Sequence, residues 1–292
     1  MKAIPKEILM CPNCKNSGLT FCYATNKMMC NSCNTNYAFG DNKFYFSHYT
    51  EGDVSDFIDK IKFTLKKYHK FYSFLTNLIA PFYYGNVGLK KFIDNHVANK
   101  DVIAFNLGSG NGDVHPNISN VDIFKYDNVN MTADVLNLPI QDNTVDIIIN
   151  NSVLEHIPSP EAAVSEFHRI LKSGGLVFCF FPFIMGFHAS PYDFSRRTIE
   201  GMKVLFQNFE ILEIRNAGGP TSGFLWIFQE YVAILFSFGI KPLYLAILFS
   251  VMALTFPLKF LDIVLAKHPM GKNITAGFVV VAKKNRNNKE AP

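Results

Sequence analysis

Three groups of residues in this chain have the types and spacing to do chemistry. The first is a glycine run, Asn106-Leu107-Gly108-Ser109-Gly110-Asn111-Gly112. Glycines at alternate positions let a backbone turn sharply and approach a ligand without a Cβ clash. Such a turn after a strand also serves phosphates and dinucleotides, so alone it names no ligand. Two acids follow it, Asp122 closing an apolar stretch and Asp134 standing before a turn. Each can accept hydrogen bonds from a bound molecule or simply cap a turn. The second group is a polar loop from Phe187 to Thr198 that holds His188, Asp193 and Arg196. An imidazole titrates near neutral pH and suits removal of a proton. Asp193 could orient that ring or act itself, and Arg196 could grip a carboxylate or phosphate. The plainer alternative is an Asp193–Arg196 pair that pins the loop. Glu155 and His156 face a similar choice between touching a substrate and capping the helix that follows.

The third group is cysteine. Cys11 and Cys14 form one C-x2-C pair and Cys30 and Cys33 a second, fifteen residues on. This is the spacing of a zinc ribbon, in which four thiolates converge on one ion. Two disulfides are the alternative. The first ten residues lack a long apolar core and a small-residue cleavage site, so no secretory signal is expected and the thiols are expected to stay reduced. Cys22 and Cys179 lie outside the pattern and are expected to pack in apolar surroundings. Residues 37–40 and 43–46 read as the closing hairpin of the ribbon. A module this small buries too little core to fold alone, so the metal would supply folding energy. Contact with nucleic acid or a partner is the sharper alternative.

The elements that must position these groups follow from apolar patterning. Strands are expected at 102–105, 121–123, 145–150, 176–181, 209–214 and 277–282, and residues 169–175 end a helix. Ile58, Ile61, Leu65, Tyr68, Tyr72, Leu75 and Ile79 recur at three- and four-residue steps, which predicts an amphipathic helix over 56–79. Lys60, Lys66, Lys67 and Lys70 crowd its polar side, as a solvated face or a face toward anionic lipid. A second helix is expected over 88–97. The 292 residues carry 28 Lys and Arg against 24 Asp and Glu, a net charge of +4 that is too mild to imply nucleic acid.

Taken in order, the motifs from Asn106 to Gly175 resemble the class I S-adenosylmethionine-dependent methyltransferases that act on small molecules and lipids. The resemblance covers roughly residues 100–218 and a closing strand near 274–283. It implies an α/β fold, a Rossmann-like doubly wound sheet with an antiparallel last strand. It also implies roles. Asn106, Gly108, Ser109, Gly110 and Gly112 would lie by the methionine part of S-adenosyl-L-methionine. Asp122 would accept from both ribose hydroxyls, Asp134 beside Val135 would meet the adenine amino group, and Asn150 would border the reacting centre. His188, Ser190, Pro191, Asp193, Arg196 and Thr198 match the loop of a bacterial subgroup, with His188, Asp193 and Arg196 as the catalytic candidates. The sequence departs from the family twice. An acid usually stands where Asn106 does. The step from Gly112 to Asp122 is too short for the usual first helix.

Between the last two strands lie about fifty residues dominated by Phe, Leu and Ile. Residues 243–258 carry no charged group, Pro242 and Pro257 break the run further, and it falls short of the roughly 20 residues needed to cross a bilayer. Two helices lying in one leaflet, packed as a lid, or buried as a hairpin are the choices, with Leu245, Phe249 and Met252 on one face. The expected organisation is a zinc ribbon (1–48), a helical linker (49–98), the methyltransferase core (99–218), the apolar helical insertion (219–271), the closing strand (272–284) and a disordered tail (285–292). The expected function is O- or N-methylation of a small or lipid-linked acceptor at the cytoplasmic membrane face, with structural zinc. An RNA base methyltransferase is the rival enzyme, opposed by the mild charge and the apolar insertion. A methyltransferase-like binding protein that has lost catalysis is the rival outside enzymes.

Overall fold

The computed structural model describes residues 3–47, 78–188 and 192–285. The helix expected over 56–79 lies outside them up to its last turn, as do Ser190, Pro191 and the tail beyond Asn285. The described strands are β1 (Leu19–Cys22), β2 (Lys27–Cys30), β3 (Asn36–Gly40), β4 (Lys43–Tyr45), β5 (Ala104–Leu107), β6 (Ser119–Asp122), β7 (Met131–Thr132), β8 (Val145–Asn151), β9 (Leu171–Pro182), β10 (Phe209–Ala217) and β11 (Gly277–Lys284). They join one sheet in the order β1-β2-β3-β4-β7-β6-β5-β8-β9-β11-β10. The run β7-β6-β5-β8-β9 is parallel, and β11 lies antiparallel between β9 and β10. This is the doubly wound arrangement with an antiparallel last strand that the sequence predicts.

Side chains alternate across the sheet with the strand period of two. Phe105, Leu107, Ile148, Val177 and Phe181 face one layer, packed on α2 (Pro160–Ile170) and α3 (Ile199–Leu205). Ala104, Ile147, Ile149, Phe178 and Phe180 face the other, packed on α1 (Leu89–His96) through Phe92 and Ile93. The amino-terminal meander β1 to β4 is no separate body. Its last strand runs parallel to β7, with Phe44 opposite Met131 and Tyr45 opposite Thr132. Phe39, Phe44 and Tyr37 belong to the same buried cluster as the central strands. Asn137 donates to the Pro12 carbonyl at 3.1 Å and Gln141 to that of Glu7 at 2.6 Å, tying the cysteine knuckle to the loop before β8.

Three local features differ from a simple repeat of strand and helix. The strand after α2 begins at Leu171, earlier than the expected residue 176. Gly174 at φ +81° and Gly175 form a bulge, across which the pairing shifts from Val145–Leu171 to Ile147–Leu176. The crossover from β5 to β6 holds turns only, as its length requires. Asparagines satisfy its polar groups instead. Asn106 donates to Asn120 Oδ1 at 3.1 Å across β5 and β6. Asn120 Nδ2 donates to Asp113 at 2.6 Å and to the Asn128 carbonyl at 3.1 Å, and the Asn128 amide donates to the Gly110 and Gly112 carbonyls at 3.1 Å each.

The third feature is the insertion, α4 (Pro220–Ser237), α5 (Lys241–Thr255), a 3-10 run Phe256–Leu261 and α6 (Asp262–Leu265). Its base is clamped by polar groups. The buried Asp262 carboxylate accepts from Thr221 N at 2.9 Å and from Ser222 N and Oγ at 2.7 Å each, capping α4. Lys259 donates to the Leu78 and Ala80 carbonyls at 2.7 and 2.9 Å. Beyond this base the hairpin faces outward: α5 buries no residue.

Replacing Asn120 with Ala should cost about 2–4 kcal/mol, because the Asn106 amide, Asp113 and the Asn128 carbonyl lose partners in a buried network. Thermal unfolding should then shift down by roughly 5–10 °C. A shift under 2 °C would show that the asparagines do not hold the crossover.

Candidate active site and metal centre

In an open parallel α/β sheet, ligands bind beyond the carboxyl ends of the strands. The glycine turn stands there, after β5. Gly108 has φ +74°, and a Cβ on it would meet Val153 at 2.4 Å. Gly110 has φ +55°, and a Cβ on it would meet nothing within 4 Å. The first glycine is therefore needed by the fold, whereas the second leaves open space above the turn. Gly112 has neither a positive φ nor a close neighbour other than Ser109 O at 3.8 Å, so it is not required by either argument. Ser109 donates to the Gly110 carbonyl at 3.2 Å.

Asp122 ends β6 and faces this turn. Its Oδ2 accepts from Gly110 N at 2.7 Å and its Oδ1 from Phe124 N at 3.0 Å. Two of its four lone-pair positions stay unspent. Burial pushes its carboxyl above the ordinary value, against the backbone N–H groups that favour the ionised form. Asp134 is exposed, with Oδ1 accepting from Leu136 N at 2.9 Å to close an Asx turn, and Val135 beside it is buried. Asn106 is buried and spends its amide on Asn120. Asn150 differs from the sequence expectation. It is fully buried, donates to the Leu107 carbonyl at 3.0 Å and accepts from the Cys179 thiol at 3.5 Å. Its side chain bridges β5 and β9 and has no surface to offer a ligand in this conformation, whereas Asn151 is exposed.

The polar loop folds against the end of β8. Arg196 grips Asp193 with both terminal nitrogens, one of them 2.6 Å from Oδ2. Asp193 also accepts from His188 N at 2.9 Å. Burial would raise the Asp193 carboxyl, but the guanidinium and this N–H outweigh it and hold it below its ordinary value. Arg196 donates further to the Gly186 carbonyl at 3.0 Å and the Met185 carbonyl at 3.2 Å. Asp193 and Arg196 thus do pair and pin the loop, and the side chain they place is His188. Its Nε2 lies 3.7 Å from Glu155 Oε1. Burial would lower this imidazole, but Glu155 and the Gly186 carbonyl raise it above its ordinary value. Thr198 caps α3, accepting from Gly201 N at 3.1 Å.

A cavity of about 740 Å³ opens beside this loop. Phe82, Phe180, Met185 and Trp226 supply apolar walls, Lys90 and Lys91 a basic edge, and Asn151 and Ser152 the end of β8. Val153, the next residue, is the one beside Gly108. The sequence patterns gave no sign of this cavity, because its walls come from α1, β9 and the inserted α4.

The cysteines converge as their spacing predicts. Cys11 Sγ lies 3.6 Å from Cys33 Sγ and Cys14 Sγ 3.4 Å from Cys30 Sγ, and all four sulfurs fall within 4.8 Å of one another. A tetrahedron with metal–sulfur distances near 2.3 Å has edges of about 3.8 Å. The Tyr37 hydroxyl stands 3.1 Å from Cys11 Sγ and the Thr35 hydroxyl 3.1 Å from Cys33 Sγ, outer partners suited to thiolates. The Thr35 hydroxyl and backbone lower the Cys33 thiol to about 6. This donor set fits zinc. Cys179 is buried as expected, but Cys22 is exposed: β1 is an edge strand and turns that side chain outward.

Residues 106–179 match the family described as Methyltransferase domain. Demethylmenaquinone methyltransferase of Staphylococcus epidermidis is 40% identical over 47 residues, 16% of this chain and 20% of the relative. The chain thus matches about a fifth of the length of that protein. Among solved structures, the cyclase SpnF aligns at 18% identity and a TM-score of 0.46, over 69% of this chain and 81% of its own. A putative sarcosine dimethylglycine methyltransferase from Galdieria sulphuraria aligns at 14% identity and a TM-score of 0.46, over 73% and 97%. The strand order itself, not these distant likenesses, establishes the Rossmann-like fold, and the resemblance read from the motifs coincides with the matched segment.

Elemental analysis should find one zinc per chain in the ribbon. Cys30→Ser should lose it and, because β4 pairs with β7, lower the melting of the whole sheet by roughly 5–10 °C. Loss of zinc without any change in melting would show that the ribbon is independent of the core.

Proposed function

We propose that this chain is an S-adenosylmethionine-dependent methyltransferase for a small or lipid-linked acceptor, working on oxygen or nitrogen at the cytoplasmic face of a membrane. The observation that carries it is the matched segment 106–179, whose glycine turn follows β5 against Asp122, while a cavity opens at the end of β8 beside Asn151 and Ser152. The residues fit the cofactor. Gly110 leaves room above the turn, Asp122 keeps two acceptor positions for ribose hydroxyls, and Asp134 with Val135 suits the adenine edge. When bound, the cofactor supplies a methyl group on a sulfonium that is already activated toward displacement. The protein's part is to align the acceptor, exclude water and remove one proton. The cavity would take the acceptor, with its apolar walls around the body and Lys90 and Lys91 near an anionic group. His188, set by Asp193 and Arg196, would be the group that takes the proton, its ring 6.1 Å from that of the cavity wall residue Trp226.

The insertion supports the membrane part of the proposal. Phe238, Leu254 and Val264 are 83%, 80% and 71% exposed on a hairpin that also supplies Trp226 to the cavity. Leu245 and Met252 are half-buried and Phe249 exposed, so the outer face is broader than that trio. Each Leu or Phe taken into lipid would contribute about 1.5–3 kcal/mol.

Calorimetry with S-adenosylmethionine should show binding to the wild type that falls at least tenfold in Gly110→Ala and in Asp122→Ala. Equal affinity in all three would refute the placement, and no binding to the wild type would favour the scaffold reading. Labelled methyl groups should then pass to an amphiphile in a lipid extract. Transfer to RNA alone would overturn the acceptor class.

Flotation with anionic liposomes should carry the wild type, with salt reversing it only in part. The triple variant Phe238→Asp, Leu254→Asp, Val264→Asp should stay in solution and keep its cofactor affinity. A wild type that ignores liposomes would make the hairpin a lid or a subunit interface.

A further inference from the structure

Glu155 is the most unusual side chain in the molecule. It is 0% exposed, and neither carboxylate oxygen has a hydrogen-bond partner among the described residues. A buried carboxylate left in that state is strongly disfavoured unless a charge compensates it. Two imidazoles point at it. His156 Nε2 lies 3.8 Å from Oε1 and His188 Nε2 3.7 Å from the same atom.

The outer nitrogens of both rings are engaged by backbone. His156 Nδ1 is 2.5 Å from the Tyr192 carbonyl and His188 Nδ1 is 3.0 Å from the Gly186 carbonyl. A carbonyl can only accept, so each Nδ1 carries a proton and donates it. In the neutral rings both Nε2 atoms then present lone pairs toward Glu155. Arg196 comes within 3.2 Å of His188 Nδ1, but its donors go to Asp193 and to the carbonyls of Gly186, Met185 and Ser195. The pairing with Asp193 also offsets its charge. Two lone pairs and a carboxylate facing one point, each imidazole oriented by a carbonyl behind it, is the outer-partner arrangement of metal-binding histidines.

We propose that Glu155, His156 and His188 bind a divalent first-row transition-metal ion. The three ligand atoms lie within 4.8 Å of one another. The separations from Oε1, 3.8 and 3.7 Å, are within about 0.4 Å of the roughly 3.4 Å edge of a tetrahedron with metal–ligand distances near 2.1 Å. Two nitrogens and one oxygen favour manganese, iron, cobalt or zinc over magnesium or calcium, which take oxygen. Three protein ligands leave further coordination positions open. If the methyltransferase reading holds, an oxygen of the acceptor would fill one of them beside Trp226 and the cavity, and His188 would act as a ligand instead of a base. The metal site itself does not depend on that reading.

Full-length protein with its ribbon zinc quantified should be titrated with Mn2+, following the loss of the free-ion electron paramagnetic resonance signal. One Mn2+ per chain is expected, in the absence of S-adenosylmethionine, with affinity at least tenfold weaker in Glu155→Gln and in His156→Gln. Co2+ in place of Mn2+ should give ligand-field bands without the sulfur charge-transfer bands that exchange into the ribbon would produce. Should Glu155→Gln fail to fold, the His156→Gln comparison stands alone. No Mn2+ binding by the wild type at millimolar concentration, or unchanged affinity in a folded His156→Gln protein, would overturn the site. Glu155 would then be balanced by a protonated His188. Cofactor binding that fails while Mn2+ binds would sink the methyltransferase reading and leave the metal site standing.

Discussion

The site depends on how the chain gets from β5 to β6 without a helix. A parallel crossover normally spends a helix to satisfy its own backbone and cover the sheet. Here nine residues separate the last of the glycines from Asp122, and buried carbonyls and N–H groups still require partners. Side-chain amides meet that demand because each carries donors and an acceptor at once. Asn106 on β5, Asn120 on β6 and Asn128 and Asn130 in the turn before β7 are linked by hydrogen bonds to one another and to the glycine turn, and Asn130 Oδ1 accepts from Asn120 N at 2.8 Å. The turn is held from below by this ladder and from the front by Asp122. Its geometry is therefore a property of the network, and the open space over Gly110 exists because the network, not a helix, supports it.

The same network accounts for the amide at position 106. Asn120 has one acceptor oxygen within the ladder, and Asn106 Nδ2 donates to it. The Asn120 amide nitrogen is already committed to Asp113 and the Asn128 carbonyl. A carboxylate at 106 would place acceptor against acceptor with no proton to share. An amide at 106 and a helix-free crossover thus fit each other, since the residue that bridges β5 to this crossover donates. The cofactor's ammonium would lack a carboxylate partner at that position, and calorimetry on the wild type measures how much that matters.

The fold was largely legible because its signals are local. Apolar runs, the glycine turn and the C-x2-C pairs each fix an element from adjacent residues. The boundaries that slipped did so where tertiary pairing overrides local pattern. Gly174 and Gly175 read as the end of a helix, but a register shift on β8 folds them into β9 as a bulge. Cys22, outside the zinc spacing, reads as a thiol packed in apolar surroundings, yet its place on the edge strand β1 leaves it exposed. Asn150 reads as a site residue because it ends a strand, but its side chain turns between β5 and β9. The parallel pairing of β4 with β7, the cavity and the approach of His188 to Glu155 arise from residues far apart in sequence, and the asparagine ladder from side chains with no periodic spacing. No spacing rule reaches them.

The insertion shows how polar contacts can fix an element that has no core of its own. A hairpin apolar on all sides would be pulled toward any apolar surface and would have no preferred angle to the sheet. Asp262 removes that freedom by capping α4 with three hydrogen bonds, and Gly219 at φ +126° lets it approach, since a Cβ there would meet the carboxyl carbon at 2.5 Å. Across the hairpin, Gln229 donates to Thr255 at 2.8 Å and Glu230 accepts from Tyr244, so polar contacts tie the two helices to each other. A rigid base and a coupled pair mean that whatever surface receives the outer face is held at a set distance from Trp226. Because Trp226 is also a cavity wall, contact made far out on α5 bears on the size of the space in which an acceptor would sit. If the outer face docks and the cavity takes an acceptor as proposed, both would bear on the capped end of a single helix.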